Sequence, residues 1–447
     1  MNKKYMVIIA LFTAVCLMVT ACGETAAKES LTETAVPELS SETVDPDETE
    51  AEEPISEGPE SLEPKEEPEQ IHDVKVNLIS EVAKQKAHGF PSVDGKLPDW
   101  KGVNVVDKAE FAWSWAWRVP DPEMVRDTSA TVYTESEAIE IAESGYNFVR
   151  LCLDSRFFFT DESMVDLEHV GEEFYGSIDT DNLTQYENLD QMIEWCIEND
   201  IHVCLDCHST AGGLMIGGDE EASRKELFTP GSGSQEIFLR FWDNIACRYA
   251  DVDTKALSFN LYNEPPSFAS ENEEIYVNLM NDAIDEIQSH TEDRLIFVDM
   301  MDYSRHGMKR IAELNANNLA ASFHIYSEFA TDTDIDSLDM DHAEKELASR
   351  LDEYNSYAEE NEIRWMLQEY GCSVYINEAD QEAYDGFIID FCKEKGVPYA
   401  LWAYNGGDFG VATWADGYDK YLTPDAVYEE TSQGHRINKA LAELTSR

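Results

Sequence analysis

Two glutamates stand at the ends of strand-like runs, where a carboxylate can serve as acid, base or nucleophile. Glu264 closes the run 256–266. There Leu257, Phe259 and Leu261 alternate with Ser258, Asn260, Tyr262 and Glu264, and Pro265 and Pro266 then stop the strand. Glu369 closes the run 363–371, but in phase with Ile363, Trp365 and Leu367. Only a bend or bulge near the end of that strand would bring it to the polar side. Arg150 lies inside the apolar run 147–154; a buried guanidinium is costly unless paired, so it requires a carboxylate such as Glu369 nearby. His208, His324 and Tyr326 fall on the polar faces of the runs 201–208 and 319–326, and Trp402 shares a face with the small Ala400. If even-numbered positions point inward, these side chains and Glu264 converge. A lone Asn-Glu-Pro tripeptide can equally be a turn that ends an ordinary strand, so the decision rests on the elements around it.

Those elements alternate. The pattern predicts strands over 102–106, 147–154, 201–209, 256–264, 295–300, 319–327, 363–371 and 398–404. Helices are expected near 135–144, 188–199, 233–250, 272–290, 307–314, 341–360, 377–395 and 433–444. Eight strands each followed by a helix give the count of a (β/α)8 TIM barrel, which carries its chemistry at the C-terminal ends of the strands. No glycine-rich phosphate loop follows the first strand, as an open doubly wound sheet would favour.

The formal net charge of −60 disfavours nucleic acid, anionic lipid headgroups and acidic polymers as partners and favours a neutral ligand. Residues 1–21 read as a signal segment: Lys3 and Lys4 precede an apolar run from Tyr5 to Met18 that is short for a membrane span. The stretch Val19 to Gly23 resembles the bacterial lipoprotein box, which makes Cys22 the expected lipidation site and tethers the chain to the outer face of the cell membrane. Residues 22–72 are acidic and rich in Pro and Thr, with too little apolar area to fold, and read as an extended linker. Residues 73–447 then form the barrel domain, expected to act as a monomer that meets the membrane only through its lipid. Seven cysteines remain there: Cys152, Cys196, Cys204, Cys207, Cys247, Cys372 and Cys392. Their odd number and scatter read as buried free thiols, and Cys204 and Cys207, three apart on one strand, should face opposite ways.

The assembled motifs resemble glycoside hydrolase family 5, retaining enzymes of β-1,4-linked polysaccharides, across most of residues 100–410. The resemblance lies in Gly102-Val-Asn104, Gly145 to Arg150, Leu205 to His208 with Gly212-Gly213, Phe241 to Ala246, and Leu261 to Pro265. It continues in His324-Ile-Tyr326, Glu369-Tyr-Gly371 and Trp402. It implies Glu264 as acid/base and Glu369 as nucleophile, with Arg150 and Asn263 orienting them. His208 and His324 would contact substrate, Tyr326 would bond the nucleophile, and Trp402 would stack on sugar. Retention needs two carboxyl groups about 5 to 5.5 Å apart. Arg150 is then expected to keep Glu369 ionised, while burial or the nearby nucleophile raises the pKa of Glu264. Gln368, where a small residue usually precedes the nucleophile, and Ser209, after the histidine, depart from the family pattern and bear on substrate choice.

Trp113, Trp115, Trp117, Phe157 to Phe159 and Trp414 fall in expected rim loops, where they would stack on sugar rings or pack the loops. Asp332, Asp334 and Asp336 imitate the start of a calcium loop without its glycine or closing glutamate, and read as a solvated acidic loop. Neither a metal nor a cofactor is expected. The leading reading is a surface-tethered, endo-acting glycanase of a neutral β-linked polysaccharide or oligosaccharide, with β-1,4-glucan first and β-mannan or mixed-linkage glucan as alternatives. A non-catalytic glycan-binding lipoprotein is the competing class, and two rim glutamates speak against it.

Overall fold

The computed structural model describes residues 74–109, 133–158, 184–210, 212, 226–266, 272–304, 310–327, 329–332, 335–405, 409–414, 428–431 and 435–447. The chain divides into two units, Met1–Pro68 and Glu69–Arg447. The first lies wholly outside the described residues, as do the signal segment, Cys22, the linker to residue 72, Trp113, Trp115, Trp117, Phe159, Gly213 and Asp334.

Eight parallel strands close into a barrel with helices between them: β1 (Lys101–Ala109), β2 (Phe148–Asp154), β3 (His202–Ser209), β4 (Leu257–Asn260), β5 (Ile296–Asp299), β6 (Leu319–Ile325), β7 (Arg364–Tyr370) and β8 (Tyr399–Asn405). Each strand pairs with the next, and β1 closes on β8 with Gly102 opposite Ala400. Three short strands, β9 (Ala412–Trp414), β10 (Tyr428–Glu430) and β11 (His435–Asn438), extend the sheet beyond β8. Among the described residues no helix is long and apolar enough to cross a membrane.

The alternation of side chains makes two cores. Outward residues such as Val149, Leu151, Val203, Leu257 and Phe259 join the helices in the main apolar cluster. Burial of each such side chain is worth about 1.5–3 kcal/mol. Inward residues Phe148, Cys204, Phe297, Ala320, Met366 and Ala400 fill the lower barrel, against Val93, Leu97 and Trp100 of the segment leading into β1. Space there is tight: a Cβ on Gly102 would come within 2.6 Å of the Phe148 ring. Cys204 and Cys207 accordingly belong to different clusters, and all seven cysteines of the barrel are free thiols.

Helix boundaries follow local chemistry. Thr134 and Glu137 form a reciprocal capping box at the start of Glu135–Glu143, and Gly396, with φ of 67°, ends Glu378–Lys395 in the left-handed region. Of the helix expected near 307–314, residues 307–309 lie outside the described residues and the remainder holds only a 3-10 turn, Ile311–Glu313; a single helical turn, Met301–Ser304, follows β5.

Two departures from regular strand geometry place the glutamates. In β7, Phe323 of β6 pairs with Leu367 while His324 pairs with Glu369, so Gln368 is the extra residue of a bulge. That bulge supplies the change of phase Glu369 needs. The carbonyl of Gln368 accepts a hydrogen bond from Asn104 Nδ2 at 2.8 Å. At β4 the regular strand stops at Asn260, not at residue 264. Tyr262, expected on the inner face, packs edge-on to Phe228 and Phe238 in the outer cluster. Glu264 therefore owes its direction to a turn, with φ of 45° at Glu264 itself, and not to strand alternation.

Candidate active site

Arg150 is the centre of the site. Fully buried on β2, it donates from Nη1 to Glu369 Oε1 at 2.6 Å and to Asn104 Oδ1 at 3.0 Å. Its Nη2 donates to Asn263 Oδ1 at 2.7 Å and lies 3.0 Å from Asp206 Oδ1. The expected pairing with Glu369 is thus present, and Asp206 supplies a second carboxylate. Breaking a buried pair of this kind by removing one partner typically costs about 3–5 kcal/mol, because the other charge is stranded.

Glu369 also accepts from the Tyr326 hydroxyl at Oε2, 3.0 Å away. His324, buried on β6, stands between the two glutamates: its Nδ1 lies 3.0 Å from Glu264 Oε1 and 3.4 Å from Glu369 Oε2. One oxygen of each glutamate and a ring nitrogen of His324 all lie within 4.8 Å of one another. Asn263 Nδ2 is 3.3 Å from His208 Nε2, and His208 Nδ1 is 2.8 Å from Asp206 Oδ2. Trp402, 5% exposed, is stacked on the His208 ring with centroids 5.2 Å apart. All eight side chains singled out within the barrel domain therefore meet at the C-terminal ends of the strands.

The electrostatics differ from the sequence expectation. Burial favours a neutral Glu264, yet the hydrogen bond and charge of His324, with the charge of His208, hold it below its ordinary value. Glu369 moves the other way: burial and the neighbouring Glu264 push it up, and the charges of His324 and Arg150 offset that only in part. Burial opposes a charge on His324, but Glu369, Asp299 and Glu264 raise its pKa above the ordinary 6.5. His208 is likewise raised, against burial, by Cys152 and Asp206. Two carboxylates this close cannot both ionise cheaply without positive charge between them, and His324, whose pKa they raise, stands there.

The sequence pattern gives Asn104 and Asp206 no site role of their own. Both were within reach of the inward-phase argument: Asn104 follows Gly102 by two positions and Asp206 precedes His208 by two. Of the expected aromatic platforms, Phe158 is core, packed against Tyr186 and Phe241; the side chains of Phe157 and Trp414 lie outside the described residues. Two sets of donors, Glu264 with His324 and Glu369, and Cys152 with Asp206 and His208, are close enough to hold a cation. In both, a carboxylate is already engaged by Arg150, so a cation would compete with a guanidinium.

Comparison with known proteins points one way. The family model for cellulase (glycosyl hydrolase family 5) matches residues 122–408. Endoglucanase C of Acetivibrio thermocellus is 24% identical over 200 residues, 44% of this chain and 52% of that protein; the chain thus spans about half the length of this relative. A solved glycoside hydrolase superposes with a TM-score of 0.59 at 20% identity, covering 78% of this chain and 98% of the other. Thermotoga maritima Cel5A, solved with cellobiose, superposes with a TM-score of 0.56 at 16% identity over 78% and 97%. The same protein solved with mannotriose gives 0.53 at 16% over 73% and 96%. At these identities the solved structures speak for the fold.

Proposed function

Since the chain belongs to the cellulase family, glycosyl hydrolase family 5, and is thereby an O-glycosyl hydrolase, we propose that it cleaves β-1,4-linked glucan internally with retention of anomeric configuration. The observation that carries the reading is the approach of Glu264 and Glu369 within 4.8 Å, close to the separation of about 5–5.5 Å that retention requires and too short for an intervening water. Arg150 and Tyr326 on Glu369, and His324 against Glu264, divide the roles.

In the first step Glu369 attacks the anomeric carbon while the glycosidic C–O bond breaks and Glu264 gives its proton to the departing oxygen. In the second, Glu264 takes a proton from water, whose oxygen attacks the same carbon and releases Glu369. The site's electrostatics give this scheme a definite form. In this reading the proton that must reach the leaving group comes from the hydrogen-bonded pair of His324 Nδ1 and Glu264 Oε1, and it leaves through Glu264. Asn263 and His208 would bond sugar hydroxyls, and Trp402 would contact a pyranose ring.

A pH profile follows. Glu369 must be ionised and is raised above 4.5, so kcat/KM should climb at a pH above the ordinary glutamate range. The proton shared by Glu264 and His324 must be present, and His324 is raised above 6.5, so the fall should begin above that pH. A rate already falling below pH 6.5 would contradict this assignment.

The substrate is proposed to be neutral. The excess of 92 acidic over 32 basic residues would repel polyuronates. Thermotoga maritima Cel5A has been solved with both cellobiose and mannotriose, which keeps β-mannan as the second reading. Viscosity against reducing ends on hydroxyethylcellulose, mixed-linkage glucan and galactomannan decides. A steep viscosity drop on a glucan is expected; a drop on galactomannan alone makes the protein a mannanase, and activity confined to polyuronates or terminal aryl glycosides refutes the reading.

Residues 1–21 as a cleaved signal, lipidation at Cys22 and an extended linker to residue 72 are part of the same proposal. Cys22→Ser should move the protein from the membrane fraction to the soluble fraction of an expressing bacterium. Membrane association that survives the substitution would mean the apolar segment stays attached as an anchor.

A further inference from the structure

Asp299, at the C-terminal end of β5, carries a fully buried carboxylate that gathers partners from several stretches of chain. Its Oδ1 accepts from Asn260 Nδ2 at 2.9 Å. Its Oδ2 accepts from the Glu264 backbone N–H and from the Ser304 hydroxyl, both at 2.9 Å, and lies 3.6 Å from His324 Nε2. The residue's own carbonyl accepts from the Tyr276 hydroxyl at 3.0 Å.

The backbone adds a second observation. Among the described residues, four other than glycine have positive φ: Asp200, Glu264, Ser304 and Glu362. Asp200 and Glu362 follow the ends of long helices, a common place for that conformation. Glu264 at 45° and Ser304 at 56° are the other two, and both are bonded to the same oxygen of Asp299. A residue whose backbone sits in this sparsely populated region must be held there by its surroundings.

We propose that Asp299 is a positioning residue of the hydrolytic site, whose Oδ2 fixes the turn that aims Glu264 and, through His324, retains the proton Glu264 delivers. This rests on the reading of Glu264 as acid/base. The carboxylates facing His324 are Glu264 after β4, Asp299 of β5 and Glu369 of β7. The cations facing those carboxylates are Arg150 of β2 and His208 of β3, and the Tyr326 hydroxyl lies against Glu369. Burial disfavours charge on Asp299, but the charges of His324 and Arg150, with the bonds from Glu264 N–H and Asn260, keep it ionised. Glu264 and Glu369 both change charge during the reaction. Asp299 makes and breaks no bond, so its charge on His324 persists through both steps.

Asp299→Asn tests this with little change of shape. Its amide oxygen can still accept from Glu264 N–H and Ser304, and Asn260, whose Oδ1 has no hydrogen-bond partner, can turn to accept from the new amide. Expected are a loss of about 30-fold in kcat/KM on polysaccharide, a loss under about threefold on a dinitrophenyl cellobioside that needs no acid, and an alkaline limb lowered by about one pH unit. Equal losses on both substrates with an unmoved alkaline limb would reduce Asp299 to a structural residue. Should the variant fail to fold, Ser304→Ala removes one donor from Oδ2 and leaves the charge; the alkaline limb should then move to higher pH, and an unmoved limb would overturn the proposal. Glu264→Gln run in parallel separates the two readings. Full polysaccharide activity in that variant refutes Glu264 as acid, whereas an inactive Glu264→Gln beside an unmoved alkaline limb in Asp299→Asn refutes the role of Asp299 alone.

Discussion

Glu369→Gln is expected to abolish hydrolysis of every glycoside, whatever its leaving group, with a loss on the order of 10⁴-fold or more, because without a nucleophile neither step of the double displacement proceeds. The fold should survive. A glutamine at this position can still accept from Arg150 with its carbonyl oxygen, and its amide nitrogen can donate to the Tyr326 oxygen. Arg150 keeps Asp206 as an ion-pair partner at 3.0 Å, so the guanidinium is not stranded. Unchanged thermal melting beside a dead enzyme is thus the expected pair of results. Residual turnover of a few per cent on an activated aryl glycoside would show that another group attacks the sugar.

Glu264→Gln is expected to be selective. The amide oxygen can still accept from His324 Nδ1, 3.0 Å from the present carboxylate, so the geometry should hold. What is lost is the proton passed to the departing oxygen, and general acid catalysis of this kind is worth roughly 10²–10⁴-fold. The loss should fall fully on polysaccharide, whose leaving group is poor, and far less on the kcat/KM of a dinitrophenyl glycoside, whose leaving group departs unaided. Because the second step also needs Glu264 as base, the activated substrate should give a burst followed by slow turnover. Wild-type hydrolysis of polysaccharide by this variant would remove Glu264 from the mechanism.

The barrel was legible because its strands carry their signal locally. Runs such as 147–154 and 319–327 are apolar, bounded and spaced by amphipathic helices, and the inward phase of His208 and His324 follows from period two alone. The glutamates were found by their positions at strand ends, but their aim was only partly readable. For Glu369 the alternation gave the wrong face, and the bulge at Gln368 that corrects it is stabilised by Asn104, a residue 264 positions away in sequence. For Glu264 the alternation gave the right face for the wrong reason: Tyr262 leaves the inner face, and the turn held by Asp299 restores it. Long-range hydrogen bonds of this kind leave no periodic trace. Asp299 had the same visible mark as Glu264, a carboxylate ending an apolar strand, but with no proline or asparagine beside it to draw the eye. The pKa order of the two glutamates also departs from the sequence expectation: at Glu264 the buried His324 outweighs burial, whereas at Glu369 burial and the neighbouring Glu264 outweigh the charges of His324 and Arg150.

The central claim is that the reaction passes through a covalent sugar ester on Glu369. Incubation with a 2-deoxy-2-fluoro cellobioside bearing a good leaving group should trap that ester, because the fluorine slows its breakdown more than its formation when departure is easy. Peptide mapping by mass spectrometry should then find one fluorosugar, on the peptide containing Glu369 and on that side chain. A label on any other residue, or an unlabelled enzyme that releases inverted sugar from the first turnover, would contradict the account.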